Sequence, residues 1–254
     1  MQVKQSITSI FPSMGFWMML FILGVFGGFY VTYFSKLTES LPSVTHIHFG
    51  LMSLWMIIAI SQPLLIRYKK INLHQKVGKL SYLVIPLVIF TSFLMMRYSY
   101  QSQLSSLTEN LILGNESMSI KEGLSLLASF QAIGFVYLIW LGTFYGLAIY
   151  FRKTPMIHAR FMIAAVLTFM GPTLDRILYF VFDLAYILPG VPAEYASFLL
   201  IDLILLFLLM IDIRKGRSIW PITFALSFYI LFQILYTTVQ KTEPFSKLVN
   251  FLLN

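Results

Sequence analysis

The side chains able to do chemistry in this chain are few, and they sit at the ends of apolar runs. There are four histidines in 254 residues: His46 and His48 in "VTHIHFG", His74 in "LHQKVGKLSY" and His158 in "HARFM". Two carboxylates, Asp175 in "GPTLDR" and Asp202, also lie within apolar runs. Imidazole nitrogens and carboxylate oxygens at one depth can bind a divalent metal such as zinc, iron or copper. His46, His48, Asp175 and Asp202 are therefore the candidate metal ligands. On a regular helix, positions i and i+2 point about 200° apart. Both histidines reach one ion only if their helix starts irregularly, and the preceding "LPSVT" allows that. A different chemistry suits the other two. Facing neutral imidazoles can hold a haem b iron through both axial positions, and nearby cations can pair with its propionates. His74 and His158 are the candidate haem ligands, with Arg160 beside the second. Gln62 and Arg176 complete the polar candidates. The plainer alternative is that each histidine is a helix-start or headgroup-level residue, and that Asp175 or Arg176 pairs with another helix.

The elements that must position these groups follow from composition. Hydrophobic residues make up 58% of the chain and charged residues 11%, against about 25% charged in a soluble domain. Mean hydropathy is +0.81. So much apolar surface must face lipid, which makes the lipid bilayer the first partner. The fold class expected is all-α: a single integral membrane domain over 1–254, built from about seven transmembrane helices. They are read at 14–34, 46–66, 79–97, 124–151, 160–183, 197–213 and 219–240, each near the length needed for a core of about 30 Å. Gly15, Gly24, Gly27 and Gly28 in the first run suit close helix approach. Pro63, Pro86, Pro172 and Pro221 are candidate kinks. The stretch 98–123 reads as an exposed segment with one short amphipathic turn. It contains a glycosylation sequon, "NES" at 115–117, that matters only in a secretory eukaryotic context. The tail "KTEPFSKLVNFLLN" reads as a short interfacial helix.

Charge sets the orientation. Lys4, Arg67, Lys69, Lys70, Lys76, Lys79, Arg152, Lys153, Arg160, Arg214, Lys215 and Arg217 fall on one side, twelve of the 18 Lys and Arg. Nearly all acids fall on the other. The positive-inside rule places the N-terminus in the cytoplasm and the C-terminus outside. The formal charge of +8 is thereby a topology signal, and no nucleic acid is needed to explain it. His46 and His48 then lie at the outer level. Asp175, seventeen residues beyond His158 or about 25 Å of helix, returns to that level, and Asp202, Gln233 and Tyr236 lie near it. His74 and His158 lie at the cytoplasmic mouth, a membrane away. With no cysteine, disulfides, thiolate ligands, iron–sulfur clusters and cysteine nucleophiles are excluded. No nucleotide loop, serine-hydrolase elbow or zincin motif occurs.

The stretches "HIHFGLMSLWMIIAISQPLLI", "LHQKVGKLSYLV", "HARFM" and "GPTLDR" resemble a family of uncharacterised bacterial multi-pass membrane proteins, with an H-x-H-G, Q-x-x-L, L-H-x-x-x-G, H-x-R-F-M and P-x-x-x-R pattern. Here that pattern falls on His46, His48 and Leu51, with Phe49 and Gly50 between, and on Gln62, His74, Gly78, His158, Arg160, Phe161, Met162, Pro172 and Arg176. The likeness covers the second to fifth spans and implies a bacterial cytoplasmic membrane location, but no settled activity. Leu73-His74 and Gly78 are more weakly similar to cytochrome b561-type carriers. That likeness implies haem on consecutive helices, yet the fourth span here has no histidine, so at most one haem fits.

Three functions stay open: a histidine-centred haem or metal protein of redox or assembly; a metal-dependent intramembrane hydrolase, similar in outline to the seven-helix ceramidase and adiponectin-receptor type; and a non-catalytic transporter or receptor-like protein. Membrane-protein partners or a homo-oligomer are compatible with each.

Overall fold

The computed structural model describes residues 14–114 and 117–254. Lys4, and Asn115 and Glu116 of the sequon, lie outside the described residues. Those described form nine α-helices: α1 (Met14–Tyr30), α2 (Ser43–Arg67), α3 (Ile71–Ile112), α4 (Ile120–Tyr150), α5 (Pro155–Leu167), α6 (Met170–Arg176), α7 (Glu194–Arg214), α8 (Trp220–Val239) and α9 (Glu243–Leu253). A small antiparallel hairpin, β1 (Tyr186–Leu188) and β2 (Val191–Pro192), precedes α7. Six helical segments are long and apolar enough to cross a membrane: α2, α3, α4, the run Pro155–Val181, α7 and α8. The chain is an all-α, multi-pass membrane protein. The expected first span, 14–34, is shorter as a helix. α1 holds 17 residues and gives way to a turn and a 3-10 turn at Phe34–Lys36.

Two further boundaries differ from expectation. α3 runs for 42 residues, about 63 Å of helix, so it outruns the bilayer and takes in most of the segment read as exposed. Tyr100, Leu104, Leu107 and Leu111 recur there at helical spacing, and the stripe has partners. Tyr100 and Ala128 pack with Val249 and Leu253 of α9, flanked by Leu104 and Phe245. The Tyr100 hydroxyl donates to Asn250 Oδ1 at 3.1 Å. Thus the amphipathic tail does form a helix, but its apolar face docks on α3 and α4. α4 opens with a reciprocal cap in which Ser119 and Glu122 satisfy each other's backbone N–H groups.

The second difference is the broken fifth span. Pro172 has no N–H to return to Thr168, and the helix opens into turns at Thr168 and Phe169. A π-helical turn at Ile177–Val181 follows α6. Pro221, by contrast, sits in the first turn of α8, where proline is tolerated.

Lipid is as apolar as leucine, so interhelical packing and polar contacts, more than hydrophobic burial, hold such helices together. α7 shows the resulting pattern. Leu199, Leu203, Leu206, Phe207 and Met210 are exposed, whereas Ser197, Ile201, Leu205, Leu208 and Asp212 are buried. In the α5–α6 run, Arg160, Ala164, Thr168, Gly171 and Asp175 form the equivalent buried stripe. Each stripe carries an ionisable group at one or both ends, with the ends about 22 Å apart.

Candidate functional site

These two stripes meet end to end. At the basic end, Arg160 donates through Nε to Asp212 Oδ2 at 2.6 Å and through Nη2 to Asp212 Oδ1. At the opposite, acidic end, Asp175 stands beside Ser197. The bundle thus has two buried polar centres, one near each membrane face.

The acidic-end centre holds two buried carboxylates. Tyr137 of α4 donates to Asp175 Oδ2 at 2.6 Å, while Oδ1 of Asp175 is buried and has no hydrogen-bond partner. Glu194, in the first turn of α7, accepts from Tyr179 at 2.6 Å and from Tyr236 at 2.7 Å. Ser197 donates to the Glu194 main-chain carbonyl at 2.7 Å. Glu194 is close enough to Asp175 for the two charges to interact. Arg176 makes no ion pair within 4 Å with either carboxylate. It donates to the Pro172 carbonyl at 3.0 Å and lies over the Phe29 ring at 4.6 Å. Local backbone choices set this geometry. The π turn carries Tyr179 toward Glu194, and Gly171 leaves room for Tyr137, since a Cβ there would run into the Tyr137 ring and hydroxyl. Gly28 of α1 lets the Thr173 carbonyl of α6 approach.

The candidate metal ligands are placed apart. Helix α2 begins at Ser43, so His46 and His48 lie in regular helix and face different neighbours. The irregular start needed for both to reach one ion is not found. His46 is exposed and pairs through Nδ1 with the Tyr33 hydroxyl at 3.1 Å. His48 Nδ1 contacts Thr91 Oγ1 at 3.0 Å. That hydroxyl already donates to the Leu87 carbonyl at 2.8 Å, so the ring nitrogen is the donor. Asp202 accepts from Gln233 Nε2 at 3.1 Å. Among the described residues, no group of three or more His, Cys, Asp or Glu side chains is arranged to hold a metal ion.

Comparison with known proteins returns no match: no family model, curated protein or solved structure aligns with this chain. The residues carry the functional reading alone.

The candidate haem ligands each bond to a neighbouring helix. His74 and His158 are close enough for a charge on one to be felt at the other. His158 Nδ1 donates to the Ala148 carbonyl at 2.7 Å, one of the last carbonyls of α4 and therefore one without a helical partner. Nε2 is left as the acceptor in the neutral ring. Gln62, in the amide orientation that satisfies both its ends, donates to His74 Nδ1 and, at 3.2 Å, to the His74 main-chain oxygen. Its own oxygen accepts from the Gly78 N–H at 3.3 Å. The residues Gln62, His74 and Gly78 therefore join α2 to α3, as His158 joins α5 to α4 and Arg160 joins α5 to α7.

Sequence reasoning missed Tyr137, Tyr179, Glu194 and Ser197. Pro189 and Pro192, just ahead of Glu194, mark its stretch as a connecting segment. The tyrosines and Ser197 carry no spacing signal inside runs that are apolar on every face.

Proposed function

We propose that this multi-pass membrane protein is a proton-linked carrier whose working site is the Asp175–Glu194 pair at the acidic end. The observation that carries this is the buried, unpartnered Oδ1 of Asp175 inside a span. Two carboxylates and one guanidinium leave one negative charge in excess, and an uncompensated buried charge is costly. A proton or a small monovalent cation removes the excess. Glu194 already has two tyrosine donors, so Asp175 is the exchangeable member. Ionisable groups inside spans commonly mark proton or ion pathways, and π turns recur at functional positions.

The test is proton flux in vesicles containing purified protein and an internal pH-sensitive dye, with the membrane potential clamped. Wild-type vesicles should dissipate a pH gradient faster than protein-free ones. Asp175→Asn should abolish the difference while the protein keeps its helical content and unfolding transition. Equal rates for wild type and Asp175→Asn end this reading.

A haem-dependent redox role is the second reading, supported by the His158 Nδ1–H to carbonyl bond. That arrangement is one that orients a ligating imidazole and leaves Nε2 for iron. Donation by Gln62 to His74 Nδ1 puts the hydrogen of His74 on Nε2, so His74 has to break from Gln62 before it can bind. An absorption spectrum of mildly purified protein decides: a Soret band lost in His158→Ala moves the function to the basic end. The hydrolase reading requires zinc on His46, His48, Asp175 and Asp202, which face separate partners here.

A further inference from the structure

The basic-end centre carries the opposite imbalance. Asp212 is fully buried and its two oxygens take the fork of Arg160. A second guanidinium, that of Arg217, stands with Nη1 3.7 Å from Asp212 Oδ1, and its side chain is only 7% exposed. The Nε and Nη1 atoms of Arg217 are buried without a hydrogen-bond partner. The turn holds Arg217 in place: Gly216 adopts φ 57°, a conformation open to glycine, and the Arg217 N–H donates to the Asp212 carbonyl at 2.9 Å. Asp212 is the only acid on this side of the chain. The next acid on α7, Asp202, is ten residues or about 15 Å away along the helix, and residues 1–13 contain none. Guanidinium does not lose its proton in proteins, so one buried positive charge is left without a counter-ion.

We propose that Arg217, backed by the Arg160–Asp212 pair, is the floor of a binding site for a phosphate oxyanion at the basic membrane face. Its fork of N–H donors matches phosphate oxygens. Arg214 and Lys215 on the same turn are exposed and form a basic rim. Trp220, three residues on, packs edge-on against Phe151 and Phe161 at 5.4 and 5.5 Å and is 42% exposed. A half-exposed tryptophan at a span end belongs at the headgroup level, so Arg217 lies where lipid phosphates are. Basic pockets between spans on this side suit anionic headgroups. Free inorganic phosphate offers the same chemistry.

The experiment compares full-length wild type with Arg217→Gln and with the rim variant Arg214→Gln/Lys215→Gln, all in phosphate-free detergent. One arm adds phosphatidylglycerol and counts retained lipid by native mass spectrometry. The other adds inorganic phosphate alone and follows thermal unfolding. Wild type should retain one phosphatidylglycerol, or be stabilised by phosphate, with affinity about tenfold above that of Arg217→Gln, the loss expected for a charge-assisted bond. The rim variant should lose less. Effect in the lipid arm assigns the site to a headgroup, and effect in the phosphate arm assigns it to the free ion. Without either additive, Arg217→Gln should unfold no earlier than wild type, because it removes the unbalanced charge. Equal binding by wild type and Arg217→Gln in both arms overturns the proposal, as does a rim variant that loses as much as Arg217→Gln.

Discussion

Replacing Asp212 with asparagine keeps the shape of the basic-end centre and removes its only negative charge. Two guanidiniums then face each other with a neutral amide between them. Removing one partner of a buried pair costs about 3–5 kcal/mol. A chain of this size loses about 2–4 °C of Tm per kcal/mol, so Asp212→Asn should unfold about 6–20 °C earlier in detergent, followed by circular dichroism at fixed heating rate. The charge left behind ranks the other members of the triad. Arg160→Gln leaves Asp212 facing Arg217 at 3.7 Å, a net charge of zero with the fork lost, and should cost less. Arg217→Gln leaves the Arg160–Asp212 fork neutral and intact and should cost least. If Asp212→Asn falls within about 1 kcal/mol of wild type, or Arg217→Gln proves the most damaging of the three, the charge accounting that underlies both buried centres is wrong.

Gly171→Ala should lose about 1–3 kcal/mol by overpacking and push Tyr137 from Asp175, which a thermal scan and vesicle proton flux would register together. Tyr137→Phe removes the donor to Asp175 Oδ2 and should cost about 1–3 kcal/mol, with unchanged stability counting against the bond. On the fully buried face of α7, Leu205→Ala should cost about 2–5 kcal/mol, whereas the same change at exposed Leu203 should be near neutral. Glu243, at the start of α9, pairs with Lys247 at 3.2 Å and Lys121 at 3.5 Å, and these lysines hold its carboxyl below the usual carboxylate range. Its contribution is therefore complete above that usual range and is lost as pH falls through the lowered value. Amide protection of α9 should accordingly hold from pH 7 to pH 5.5 and fall only in more acid solution. A decline already between pH 7 and 6 would place its anchoring elsewhere.

Much of the architecture was legible because the bilayer imposes its own length and polarity rules. The hydropathy of residues 46–66 and 124–151 and the clusters of lysine and arginine located the spans and their two faces. The interior was less legible for a physical reason. α7 is apolar on its lipid face and on most of its packed face, so no periodicity separates Leu203, exposed, from Leu205, buried. Only the positions of Ser197 and Asp212 reveal the inner stripe, and they do so only once α5 and α6 are placed beside it. The histidines drew attention because they are rare. Their partners turned out to be a carbonyl, an amide and two hydroxyls, which is how a buried or half-buried imidazole is commonly satisfied. Glu194 was hidden by the reverse effect. Its neighbouring prolines advertise a break, although the helix starts before the break is complete.

The two buried centres carry excess charges of opposite sign near opposite faces, and this bears on orientation. Each elementary charge is worth about 2.3 kcal/mol per 100 mV across the whole membrane. A resting potential negative in the cytoplasm favours the positive centre, Arg160–Asp212–Arg217, on the cytoplasmic side and the negative one, Asp175–Glu194–Arg176, on the outer side. The positive-inside rule, applied to the exposed lysines and arginines, predicts the same orientation independently. The chain has no cysteine, so single cysteines can be introduced without background. In intact cells, a membrane-impermeant maleimide should label Ser106→Cys on the protruding end of α3 and leave Lys153→Cys, in the α4–α5 turn, unlabelled until the cells are opened. The reverse labelling pattern would set both the surface charge and the buried centres against the membrane potential, and would overturn the orientation.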